Sequence, residues 1–221
     1  MSAQDARADG IVFAGPDPCF PAGVGRGCGP DRAPHVLSIQ SQGNSSDATG
    51  AVARSSSGDV RTGDWQRGSN TQTIALTEIG LTNASNLAIF FDINEPNGQN
   101  RSTVTLNSLV LTAYNSAGTA VFSASLISGP LTLDQLGNGQ GTSDYVFTLD
   151  AAAAARLQAA INADPNLFLG LAASVSDAQG GPESFFIGNR TGAPEPIPEP
   201  ATLLLLATGI AGVTAKVRRR R

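Results

Sequence analysis

Between residues 36 and 188 apolar side chains recur in short runs of period two, broken by clusters of Gly, Ser, Thr, Asn and Pro. That pattern constrains the fold more than any other feature, because period two suits a half-buried strand and not a helix. Residues 36–40 are a short candidate strand, and the polar stretch 41–63 after it reads as loop or irregular edge. Residues 70–79 place apolar side chains at Ile74 and Leu76, with Ile79 out of step. The continuous apolar run 87–93, with Phe90 and Phe91, suits a buried central strand. Val104, Leu106, Leu109, Leu111 and Ala113 alternate with a phase slip at Asn107 and Ser108, where a bulge is expected. Residues 115–118 are a turn, and 119–127 return as the second arm of a hairpin. Tyr145, Phe147 and Leu149 share a face within 142–149, and 167–175 and 184–188 complete the set. About eight strands at this spacing indicate an all-β fold, an antiparallel β-sandwich or jelly roll. One short helix interrupts them. Asp150 is its N-cap, 151–161 are strong helix formers, Leu157 and Ile161 form its apolar stripe, and Asp164-Pro165 stops it. It reads as a lid over one end of the sandwich.

Residues 9–34 are rich in Gly and Pro and read as an irregular N-terminal segment ahead of a β-sandwich domain at 35–190. Cys19 and Cys28 are the only cysteines and enclose eight residues. In an oxidising compartment such a pair is expected to close a small disulfide loop, since the spacing is not that of a redox motif. Residues 1–8 lack an apolar core, but Ala6-Arg7-Ala8 before Asp9 resembles a signal-peptidase site, so 1–8 read as the remnant of a signal peptide.

Charge excludes several function classes. With the five basic residues of the C-terminus set aside, nine arginines stand against 18 acids, so residues 1–215 carry a formal charge of −9. An acidic body argues against nucleic-acid binding. The body has no lysine, which excludes lysine Schiff-base chemistry and lysine–asparagine isopeptide bonds, and a single histidine, His35, excludes a multi-histidine metal site.

The C-terminus has three parts. A Pro/Glu linker at 191–200 stays extended, because each proline removes a donor and restricts its predecessor. An uncharged, mostly apolar run of 15 residues follows from Ala201 to Ala215, and then Lys216 and four arginines. As a helix that run is about 22 Å long against roughly 30 Å of hydrocarbon, a span that the basic residues can extend by snorkelling. Residues 201–221 are therefore expected to form a transmembrane helix with a basic tail. The arginines would stay cytoplasmic and the body would lie outside the inner membrane before processing.

This order, with Ile197-Pro198-Glu199-Pro200-Ala201-Thr202-Leu203-Leu204 and then Arg218, Arg219, Arg220 and Arg221, closely resembles the PEP-CTERM sorting signal of Gram-negative bacteria. The resemblance covers about an eighth of the chain and implies nothing about the body. It does imply a substrate of exosortase, a membrane transpeptidase acting near Pro198-Glu199-Pro200 to release or re-attach the body at the cell surface. It also implies a setting in which exopolysaccharide is made.

Candidates for chemistry in the body are few. Residues 92–98 (DINEPNG) bring oxygen ligands together after a strand, which calcium accepts, although Pro96 and Asn97 depart from the EF-hand pattern and a polar hairpin loop is favoured. Asp144 and Glu183 are candidates for a carboxylate pair. His35 has many serines to pair with, but no Gly-x-Ser-x-Gly elbow is present. Trp65 with Arg61 and Arg67 offers a surface for stacking on a sugar ring, although a Trp covering a core edge is commoner. These residues point to an exported surface or extracellular-matrix protein, structural and not an enzyme, with no cofactor required. A carbohydrate-binding module is the alternative, and a surface hydrolase stands third.

Overall fold

The computed structural model describes residues 10–17, 33–43, 45–95, 103–136 and 143–190. In chain order these form β1 (Gly10–Pro16), β2 (His35–Ile39), β3 (Ala48–Ser55), β4 (Gly58–Gly63), β5 (Ile74–Ala75) and β6 (Leu87–Asp92). Then follow β7 (Thr103–Tyr114), β8 (Ala120–Leu126), β9 (Leu131–Asp134), β10 (Tyr145–Leu149), α1 (Ala151–Ala163), β11 (Phe168–Ser176) and β12 (Glu183–Asn189).

All these strands belong to one sheet whose path is β2-β12-β6-β10-β1-β8-β7-β11-β3-β4, with β5 on β11 and β9 on β7. Neighbours pair antiparallel except β1 and β8, which run parallel through Gly10–Ser125 and Ile11–Leu126. The sheet curls until its two ends meet. Ile39, on the first strand of the path, bridges to Trp65, just beyond the last. Two main-chain bonds flank that bridge, Gln40 N–H to the Asp64 carbonyl at 3.0 Å and Gln66 N–H to the Ser38 carbonyl at 2.9 Å. Gly63 permits the turn into this seam, with φ of +74° and its Cα against the Thr49 carbonyl, where any Cβ would collide.

Curling gives the apolar face of the sheet its cover. Ile11, Leu37, Ile39, Ile89, Leu111, Phe147 and Leu171 lie in one continuous core, in which Phe91 stacks on Phe185 with centroids 4.5 Å apart. All of β6 is buried, because its second face packs Ala88 and Phe90 against Ala33, Val146 and Phe186. The helix α1 covers the core from the side of β1, β8 and β10, burying Ala153, Ala154, Leu157 and Ile161. Its N-cap Asp150 accepts from Ala153 N–H at 2.7 Å and also from Gly10 N–H at 3.1 Å, which ties the helix start to β1.

The expected fold class needs correction. The strands are there, but a two-sheet sandwich or jelly roll is not: one ladder runs through every strand and closes on itself. Residues 10–16, placed in the irregular 9–34 segment, instead form β1 in the middle of the sheet. Residues 48–63, read as loop, form the β3–β4 hairpin, while the strand expected at 70–79 shrinks to β5. The expected C-terminal transmembrane helix is also withdrawn from the fold class. No helix among the described residues is long and apolar enough to cross a membrane. The only α-helix among them, α1, has 13 residues and carries Arg156. The apolar run 201–215 itself falls short of the roughly 20 residues a span needs. Residues 1–9 and 191–221, and with them the signal-peptide remnant, the Pro/Glu linker, Pro198, Glu199, Pro200 and Arg218, Arg219, Arg220 and Arg221, lie outside the described residues. So do Cys19 and Cys28.

Because β1 alone joins β10 to β8, its inward side chain carries unusual weight. Ile11 is wholly buried in the core. Ile11→Ala is expected to lower stability by about 2–5 kcal/mol, the range for emptying a buried aliphatic site. Urea unfolding followed by tryptophan fluorescence measures it, and a loss below about 1 kcal/mol contradicts the central role of β1.

Candidate functional site

The buried acids collect where β6 ends and β10 and β12 begin. Asp92, Glu95, Asp144 and Glu183 are each at most 4% exposed. Strand ends present main-chain amides with no ladder partner, and a carboxylate is a strong acceptor for them. Asp144 serves in this way with both oxygens. Its Oδ2 accepts from Ile93 N–H and its Oδ1 from Leu136 N–H, each at 2.8 Å. Its own N–H donates to the Phe91 carbonyl at 2.9 Å, and its carbonyl accepts from Asp17 N–H at 2.8 Å. One residue thus fastens the ends of β1, β6, β9 and β10.

Glu95 and Glu183 are arranged differently. Glu183 Oε2 accepts from Asn94 N–H at 3.1 Å, and Glu95 Oε1 accepts from Gln179 N–H at 2.8 Å. The two carboxyl groups lie close enough to act on each other's protonation. Burial is the main cause that raises both, and for Glu183 the neighbouring charges of Glu95 and Asp92 add to it, pushing it to about 9. Close approach of the chain makes this contact. Gly181 N–H meets the Asn94 carbonyl at 2.6 Å, and a Cβ on Gly181 would strike the Asn94 side chain.

The carboxylate pair named from the sequence, Asp144 with Glu183, is therefore re-partnered. Asp144 is committed to amides, and Glu183 meets Glu95. The sequence had marked Glu95 within 92–98 but gave no sign of its mate across 88 residues; the Gly180-Gly181-Pro182 turn before Glu183 was the available signal. Residues 96–98 of that stretch lie outside the described residues. Among the described residues no three His, Cys, Asp or Glu side chains gather closely enough to hold a metal ion between them.

Two other candidates have structural surroundings. His35 Nε2 lies 2.8 Å from Ser38 Oγ, which lies 2.8 Å from Ser184 Oγ, so a polar chain crosses the β2–β12 ladder. Burial lowers the His35 pKa and a bond to the Asn70 main chain opposes it. Ser38 is 2% exposed, out of reach of a substrate. Trp65 sits at the seam with the Arg61 guanidinium 5.5 Å from its ring centroid, and Arg61 also bonds the Thr71 carbonyl. One face of the indole is thereby covered by protein.

Glu183 dictates a pH response. In the unfolded chain it titrates at its ordinary 4.5, in the fold at about 9. Between those values the folded protein keeps a proton that the unfolded chain has lost. In metal-free buffer its contribution therefore favours folding less as pH rises, by at most about 1.4 kcal/mol per unit. Glu183→Gln keeps a neutral side chain throughout and is expected to flatten that slope. Urea unfolding in EDTA at about pH 5, 7 and 9 measures the gap between the two proteins, which should widen with pH. A constant gap contradicts the raised pKa of Glu183.

No curated protein and no solved structure matches this chain. A family model described as the PEP-CTERM protein-sorting motif matches residues 196–221. Such motifs are recognised by exosortase and imply export to the cell envelope or surface. The C-terminal tail of this chain, residues 196–221, is a PEP-CTERM protein-sorting motif.

Proposed function

We propose that the body, residues 10–190, is a non-catalytic component of the cell surface or its exopolysaccharide matrix, delivered there by the C-terminal signal. The observation that carries this reading is the use made of the side chains best suited to chemistry. Asp144 holds two strand-end amides, His35 and Ser38 are joined across a ladder, and Trp65 closes the sheet under Arg61. Each works on the protein's own chain. Trp65 is held at the seam with Arg61 against one face of the indole, so under the carbohydrate-binding alternative a sugar would stack on the other face. A hydrolase is disfavoured by the burial of Ser38.

Delivery and role are tested separately. Glu199 stands between Pro198 and Pro200 in the stretch matched by the sorting motif. Glu199→Ala is expected to block processing, seen as loss of the shortened product in immunoblots of cell and medium fractions. The same shortened product in both proteins sinks the assignment of Glu199. For the role, a deletion strain complemented with His35→Ala should recover the same matrix phenotype as one given the wild type. Loss of that phenotype with a folded, exported His35→Ala protein would point to catalysis.

A further inference from the structure

We propose that Glu95 and Glu183 bind a calcium ion that joins the end of β6 to the connection between β11 and β12. Both side chains are more than nine-tenths buried. Each commits one oxygen to a main-chain amide, Glu183 Oε2 to Asn94 and Glu95 Oε1 to Gln179. The other two oxygens, Glu95 Oε2 and Glu183 Oε1, are buried and meet no N–H or O–H donor among the described residues. The two carboxyls are nonetheless close enough to act on each other's protonation, and the charge of Asp92 adds to that on Glu183. The ion pairs found among the described residues lie elsewhere, with Arg54 and Arg61 on Asp59.

A buried carboxylate oxygen with no donor is costly, and two carboxyls drawn together make it more so. A hard cation answers both, since it takes oxygen donors and supplies the missing charge. The donors are carboxylates without nitrogen or sulfur, which suits calcium or magnesium and not zinc. They come from two separate connections, a spacing that calcium tolerates through its variable coordination and that magnesium, bound to octahedral geometry, does not. Water and main-chain carbonyls are left to complete the shell. Two bound carboxylates with a third nearby are a low charge count, so the affinity belongs to the extracellular class, a dissociation constant of about 10⁻⁴–10⁻³ M. A cation site of that strength is filled only outside the cytoplasm, where the sorting signal sends the chain.

The test uses the full chain stripped with EDTA. Calcium chloride at roughly ten times the dissociation constant is expected to raise Tm by about 3–6 °C, with equilibrium dialysis finding about one ion per chain. Magnesium at the same concentration should raise it less. Glu95→Gln and Glu183→Gln keep the size of the side chain and its neutral form, so both should fold in EDTA and lose the calcium-dependent rise. Glu78→Gln, at an exposed acid away from the cluster, should keep it. The proposal is overturned if the wild type shows no rise and binds no ion. A rise that persists in Glu183→Gln, or that magnesium reproduces in full, also overturns it.

Discussion

A sheet with one strongly apolar face must be covered, and here nearly all of the cover comes from the sheet itself. That constraint makes β1 the central element. Without it the ladder would fall into two arrays, β2-β12-β6-β10 and β8-β7-β11-β3-β4, joined only at the Ile39–Trp65 seam. These are the two layers a sandwich would have. By pairing antiparallel with β10 and parallel with β8, β1 turns two stacked layers into one curled surface. The seam covers part of the β2 edge, while β4, paired only with β3, stays an exposed and polar edge strand.

Curling concentrates a second problem at the strand ends, where amides lose their ladder partners inside the protein. Carboxylates solve it in two ways that differ in charge. Asp144 has an N–H for each oxygen, so its charge is held by donors. Glu183 has one N–H, Glu95 has the main chain of Gln179 and Gly180 on one side, and the oxygens between the two carboxyls have no donor. The first arrangement is complete as built. The second is complete only with a proton or a cation in it. Two sites within one cluster thus differ in how far the fold depends on the solution outside.

What the sequence disclosed followed from burial and period. β6 was legible as a continuous apolar run because both its faces are covered. The bulge near Asn107 was legible as a phase slip, and it falls where Ser174 pairs with Ser108 and Val175 with Leu106. α1 was legible through Asp150 and its alanines. β1 was hidden because Gly10, Gly15 and Pro16 carry loop signals, although Gly10 packs where a Cβ would meet the Ser125 carbonyl. The β3–β4 hairpin was hidden because its outer strand is largely exposed and polar, so no alternation marks it. Asp144 and Glu183 were named from the sequence as a pair, and both are buried. Their partners were not legible, since hydrogen bonds spanning 51 and 89 residues leave no local trace.

Strand order also constrains how the body comes together. β1 is the first strand and finds its antiparallel partner in β10, while β6 lies between β10 and β12, the last strand. The path is complete only when the chain through Asn189 is present, and the sorting motif begins at residue 196. Long-range pairing of this kind forms late and slowly, because loop closure precedes the contacts that reward it. Strands β1 and β12 must both be free to pair on the same side of the membrane. The body therefore folds as a single unit only once the chain through Asn189 is available.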